Sequence, residues 1–168
     1  MSSWKETSTL GFKFEDFCLK DINEKKYPLA FKNMKKEEYS YYDIILFDGN
    51  FFKPNKTIEC KYDEKSFETG NICIEVCCNG RWSGLLISKA DYWLIGDGHQ
   101  MFLITKNNIT KCIEENYPKN IQIKKKYPVI QEDGVVKEME FYLIPKNIFK
   151  KYCLEIADIN NMIYEKLN

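Results

Sequence analysis

Between residues 41 and 144 the chain reads as a succession of strand-length apolar runs separated by turn-forming residues, and this punctuation limits its fold more than any other feature. The runs cover residues 41–47, 56–62, 71–78, 90–95, 101–105, 121–130 and 135–144. Asp48-Gly49-Asn50, Asn79-Gly80, the segment 96–100 and the segment 131–134 supply the turns, so 90–105 and 121–144 are each expected as hairpins. Residues 83–89 fit either a return strand or a short helix. Helical spacing occurs at the ends of this block. Leu10, Phe14, Phe17, Cys18 and Ile22 predict an amphipathic helix to about Glu24, with Ser8 or Thr9 as its cap. Residues 107–117 predict a short helix, and Pro145 opens a closing helix to Leu167. Residues 31–39 read as loop or short helix. The expected fold is α/β: a central mixed sheet spanning residues 41–105, flanked by the N-terminal helix and by a C-terminal hairpin plus helix.

A chain of 168 residues, 44% apolar and 15% aromatic, has enough material for one domain with its own core, and no linker or repeat divides it. No apolar run is long enough to span a bilayer, and the start Met1-Ser2-Ser3-Trp4 lacks the basic and apolar pattern of a signal peptide. Seven cysteines, an odd number without framework spacing, then read as reduced thiols in an intracellular, reducing compartment, with no membrane contact or secretion expected. The abundance of Lys, Asn, Ile and Tyr fits an A/T-rich genome. With 25 basic and 25 acidic residues the chain has no global field to attract a polyanion. Arg81 is the only arginine, which leaves little bidentate reading of base edges. Any DNA contact would therefore rest on local lysines following phosphates.

Acidic residues inside apolar strand runs are the chemical oddity, because a buried carboxylate is costly unless something compensates it. Asp43, Glu59 and Glu75 are placed this way. The two-residue strand period puts Glu59 and Lys61 on one face and Ile58, Cys60 and Tyr62 on the other. That arrangement sets a metal-binding carboxylate beside an ammonium. The second Glu-x-Lys, Glu24-Lys25-Lys26, falls in a polar helix end and fits a solvated surface.

An acidic residue on one strand followed by Glu-x-Lys on the next resembles the PD-(D/E)xK nuclease superfamily, here through Asp43, Glu59 and Lys61. Glu15, within Gly11-Phe-Lys-Phe-Glu15-Asp-Phe on the first helix, matches the glutamate of resolvase-like members. The likeness covers roughly residues 10–95, and the segments 70–75, 83–84 and 89–93 also look like small nucleases of phages and large DNA viruses. Tyr42 stands where the family pattern has proline. The resemblance implies a restriction-endonuclease-like core and a DNA endonuclease, tied to recombination or replication, that depends on Mg²⁺ with Mn²⁺ as a substitute. It implies Asp43, Glu59 and the Cys60 main-chain carbonyl as hard oxygen ligands, with Lys61 acting on the attacking water. Glu15 and Glu75 would support the site, and Lys89, Lys124, Lys125 and Lys126 would contact phosphates. A homodimer is compatible with this reading, and the rival is a nucleic-acid-binding subunit of the same fold in a replication, packaging or recombination machine.

Each residue also has a plainer reading. Glu59 and Lys61 form a cross-strand surface pair in that reading, Glu15 an exposed helix residue beside Asp16, and Glu75 a polar edge shared with Cys73 and Cys77. The lysine groups are solvated faces, and Trp82, Tyr92 and Trp93 are core or turn anchors. His99, the only histidine, reads as a solvent-exposed turn residue, which leaves Ser-His-Asp catalysis and a four-ligand zinc site without support.

Overall fold

The protein is represented by a computed structural model that describes residues 4–24, 29–33, 41–47, 56–130 and 136–154. Helix α1 (Trp4–Glu24) leads into strand β1 (Leu29–Lys32), followed by β2 (Ile44–Phe47) and β3 (Lys56–Tyr62). A five-residue helix, α2 (Lys65–Thr69), separates β3 from β4 (Asn71–Cys78), which turns back as β5 (Arg81–Trp82). Then come β6 (Tyr92–Gly96), β7 (Met101–Thr105), α3 (Lys106–Asn116), β8 (Gln122–Ile130), β9 (Val136–Pro145) and α4 (Lys146–Phe149).

The strands form two sheets. The first is mixed and five-stranded, in the order β1-β2-β3-β6-β7, with β3 and β6 parallel. The second is antiparallel, in the order β5-β4-β9-β8. The expected single sheet over residues 41–105 is thus corrected: β4 leaves it and pairs with β9 of the C-terminal hairpin. Partner choice between strands so far apart is set by which faces bury together, which a local pattern does not carry.

Two cores follow from the strand alternation. On one face of the mixed sheet, Phe14, Cys18 and Ile22, four residues apart on α1, pack against Ala30, Ile44, Leu46, Ile58, Cys60, Leu94 and Leu103. The opposite face carries Trp93, Ile95 and Ile104 into a larger core with Ile72, Ile74 and Val76 of β4 and Ile109, Cys112 and Ile113 of α3. At the end of β6, Gly96 lies directly under α1, where an added Cβ would stand 2.4 Å from the Phe14 ring. Gly96→Ala should therefore overpack this contact and lower stability by about 1–3 kcal/mol, measured by denaturant unfolding.

Several expectations hold locally. Strands β3, β4 and β7 occupy the runs predicted for them, and the two hairpins form. Asn79 and Gly80 both take positive φ, 51° and 73°, as the tight β4–β5 turn demands. Thr105 caps α3, its hydroxyl accepting from the Asn108 amide. Other expectations fail. Ser8 and Thr9 lie inside α1, whose described part begins at Trp4. Residues 83–89 hold a 3₁₀ turn, Gly84–Leu86, which meets the short-helix reading and not the return strand. The closing helix ends after Phe149 and a 3₁₀ turn, because the Leu154 amide then pairs with the Leu103 carbonyl on the edge of β7. Residues 155–168, and the predicted turns at 48–50 and 131–134, lie outside the described residues.

Candidate active site

Strand β3 is the frame of the site. Its ladder with β2 ends at the pair Ile44 and Ile58. Just beyond that rung, Asp43 docks twice onto β3: its amide donates to the Ile58 carbonyl at 2.9 Å, and its Oδ2 accepts from the Cys60 amide at 2.7 Å. The Asp43 carboxylate is thereby fixed to the main chain between Glu59 and Lys61. Because main-chain groups two residues apart point to the same strand edge, the Cys60 carbonyl opens on this edge past the last β2 rung.

The segment carrying Asp43 is held from two other sides. Buried Asn33 donates its amide to the Asp43 carbonyl at 2.8 Å and its Nδ2 to the Tyr42 carbonyl at 3.1 Å. The Tyr41 carbonyl accepts from the Ser88 hydroxyl and from the Lys89 amide. Sequence reading gave Asn33 no role, since an asparagine after a short strand has no pattern of its own; only its burial marks it.

Glu59 and Lys61 share a sheet face as expected, with Ile58 and Cys60 turned into the α1 core. Glu59 is 6% exposed, and its Oε1 lies 2.7 Å from Lys61 Nζ. The Lys61 side chain keeps 45% of its surface in solvent, so it forms the rim of the site while Glu59 forms the floor. Among the described residues Glu59 Oε2 has no hydrogen-bond partner.

Electrostatics tie these groups together. Burial and the neighbouring Glu59 charge push the Asp43 carboxyl up to about 7, against the Cys60 amide and Lys61, with Glu15 adding to the rise. Burial opposes the charge on Lys61, yet Glu59, Asp43 and Glu75 outweigh it and hold the ammonium above its usual value. Contact with Cys18, then burial, raises the Cys60 thiol well above normal, so this sulfur is a protonated core group and Cys60 offers the site only its carbonyl.

Glu15 and Glu75 act at longer reach. Glu15 is paired with Lys32 at 3.2 Å and influences Asp43 through its field. Glu75 does not share a face with Cys77 as expected: a bulge after Glu75 breaks the alternation, burying Cys77 while Glu75 and Cys73 stay half-buried. Gly84 makes the bulge possible, since a Cβ there would stand 2.3 Å from the Glu75 carbonyl oxygen. Lys89 places its ammonium 3.9 Å from the Tyr41 ring centre, two residues before Asp43. Lys124, Lys125 and Lys126 lie on β8 of the second sheet, and their side chains are outside the described residues. Trp93 is a core residue, whereas Trp82 is 71% exposed on β5. His99 is exposed and stacks on Phe67 with ring centres 3.8 Å apart.

Among the described residues no three His, Cys, Asp or Glu side chains are grouped closely enough to enclose a metal ion by themselves. The donor set does fit a hard cation that retains waters. Two carboxylates repel one another, one buried carboxylate oxygen lacks a partner among the described residues, and a main-chain carbonyl opens on the same edge. No protein-family description, curated protein or solved structure matches this chain. No helix among the described residues is long and apolar enough to cross a membrane.

Proposed function

We propose that this chain is a divalent-metal-dependent nuclease of restriction-endonuclease-like architecture, hydrolysing DNA phosphodiester bonds with selectivity for DNA structure. The observation that carries this reading is the docking of the Asp43 carboxylate onto the Cys60 amide, between Glu59 and Lys61. Asp43, Glu59 and the Cys60 carbonyl would hold Mg²⁺, or Mn²⁺ in its place. When bound, the ion polarises the scissile phosphate and lowers the pKa of a water. Lys61, on the solvent side of Glu59, orients the attacking water and offsets the charge that builds on the phosphorane-like transition state. Glu15 and Glu75 shape the field around the ion. Lys89, beside Tyr41, would meet a phosphate.

Incubating the protein with Mg²⁺ or Mn²⁺ and a panel of linear, nicked, flapped and four-way DNAs tests the reading. Cleavage that EDTA stops is expected. Binding to the same DNAs without cleavage in either metal would instead favour a nucleic-acid-binding subunit.

The manner of binding carries its own expectation. Zero net charge and a single arginine leave compact lysine charges as the contact chemistry. Affinity should fall steeply with salt and be nearly indifferent to base sequence. Neutralising Lys124, Lys125 and Lys126 together should weaken binding and flatten the salt slope without moving the cleavage position. Titrations on sequence-scrambled duplexes and junctions check this; a base preference that survives changes of DNA shape would contradict it.

A further inference from the structure

Glu59 and Trp93 stand abreast in the parallel β3–β6 ladder and present their side chains to the same sheet face. Trp93 is 1% exposed, and its ring centre lies 6.0 Å from Lys61 Nζ, which itself contacts Glu59 Oε1. Two buried polar atoms here have no hydrogen-bond partner among the described residues: Glu59 Oε2 and Trp93 Nε1. An ionised carboxylate oxygen only accepts, and an indole N–H only donates. They complement one another but are not bonded to each other. A single group reaching both would have to donate to Glu59 and accept from Trp93. Water does so; a bare cation has no lone pair to offer the indole, and an ionised phosphate oxygen has no proton to give the carboxylate.

We propose that Trp93 is a positioning residue of the site, whose indole N–H anchors one buried water that donates to Glu59 Oε2. That water fixes the plane of the carboxylate. A carboxylate oxygen has two lone pairs, so Oε2 can accept this water and still face a cation. The effect on a cation rests on the nuclease reading, whereas the water itself does not. In the sequence Trp93 reads only as a packing residue. Its polar tip gains meaning from the strand register, which sets it beside the acid.

Replacing Trp4 and Trp82 by Phe leaves Trp93 as the sole indole of the three. The ultraviolet resonance Raman band that reports indole N–H bonding should then show a hydrogen-bonded Trp93 in metal-free protein, and Glu59→Gln should weaken that bond. A band at the unbonded position, or one that ignores Glu59→Gln, overturns the proposal whatever the protein does to DNA. In otherwise native protein, Trp93→Phe keeps most of the ring and removes the N–H. It should lower Mn²⁺ affinity, read by electron paramagnetic resonance, by about ten- to a hundredfold. A folded Trp93→Phe protein that binds Mn²⁺ like the wild type overturns the positioning role. If Trp93→Phe does not fold, the Raman measurement decides. Failure of the unaltered protein to bind Mn²⁺ would count against the nuclease reading alone.

Discussion

Asp43→Asn should abolish metal-dependent cleavage and, at the same time, stabilise the metal-free protein above neutral pH. The two effects have one cause. The Asp43 carboxyl is raised from 3.8 to about 7 by burial and by Glu59, so between those values the folded state holds a proton that the unfolded chain has released. The stability this group contributes is full below the unfolded value and is lost as pH rises through about 7. Asparagine keeps an oxygen for the Cys60 amide but carries no charge, which removes that pH-dependent loss. Alanine would instead strip the amide of its partner and confuse the result. Melting curves from acid to mildly basic pH in EDTA should thus fall for the wild type and run flatter for Asp43→Asn. Divalent metal should recover the wild type above neutrality and leave the variant unmoved. Loss of one metal-holding carboxylate should reduce cleavage by about a thousandfold or more, the scale of several kcal/mol of lost transition-state stabilisation. Glu59→Gln should match that loss of cleavage.

Lys61→Ala separates holding the metal from using it. Lys61 pairs with Glu59, so its removal takes away a cation that competes with a metal ion for the same carboxylate. Metal affinity should therefore be retained or strengthened. Turnover should fall by about a hundred- to a thousandfold, as when one donor to a developing oxyanion is deleted. Single-turnover cleavage beside a Mn²⁺ titration checks both halves. Loss of metal affinity with unchanged turnover would reverse the roles assigned to Lys61 and Glu59.

The parts of this arrangement that could be read from the sequence are those set by short-range pattern. Strand β3 has a two-residue period, which by itself puts Glu59 and Lys61 on one face. The β4–β5 turn is encoded by Asn79-Gly80, and the C-terminal hairpin by its long apolar runs. Strand β1 is different. Its four residues are too short to show a period, and the Asn23 side chain, from the end of α1, bonds both polar groups of Ala30. Helix α2 is likewise too short for an amphipathic pattern. The passage of β4 to the second sheet, the burial of Asn33 and the burial of Glu59 beside Trp93 all arise from contacts between distant segments. Spacing along the chain does not encode them. The charge environment of Asp43 belongs to the same class, because it depends on how close β3 and α1 bring Glu59 and Glu15.

Asp43 and Glu59 are proposed to form one cation site beneath Lys61. The most direct test is Mn²⁺ binding to the wild type, Asp43→Asn and Glu59→Gln proteins, followed by electron paramagnetic resonance from mildly acidic to mildly basic pH. Wild-type affinity should rise by up to about tenfold per pH unit below about 7, because Asp43 must release a proton to take the ion, and level off above it. Both variants should bind weakly at every pH. Equal Mn²⁺ affinity in all three proteins, or wild-type affinity indifferent to pH, would contradict the claim.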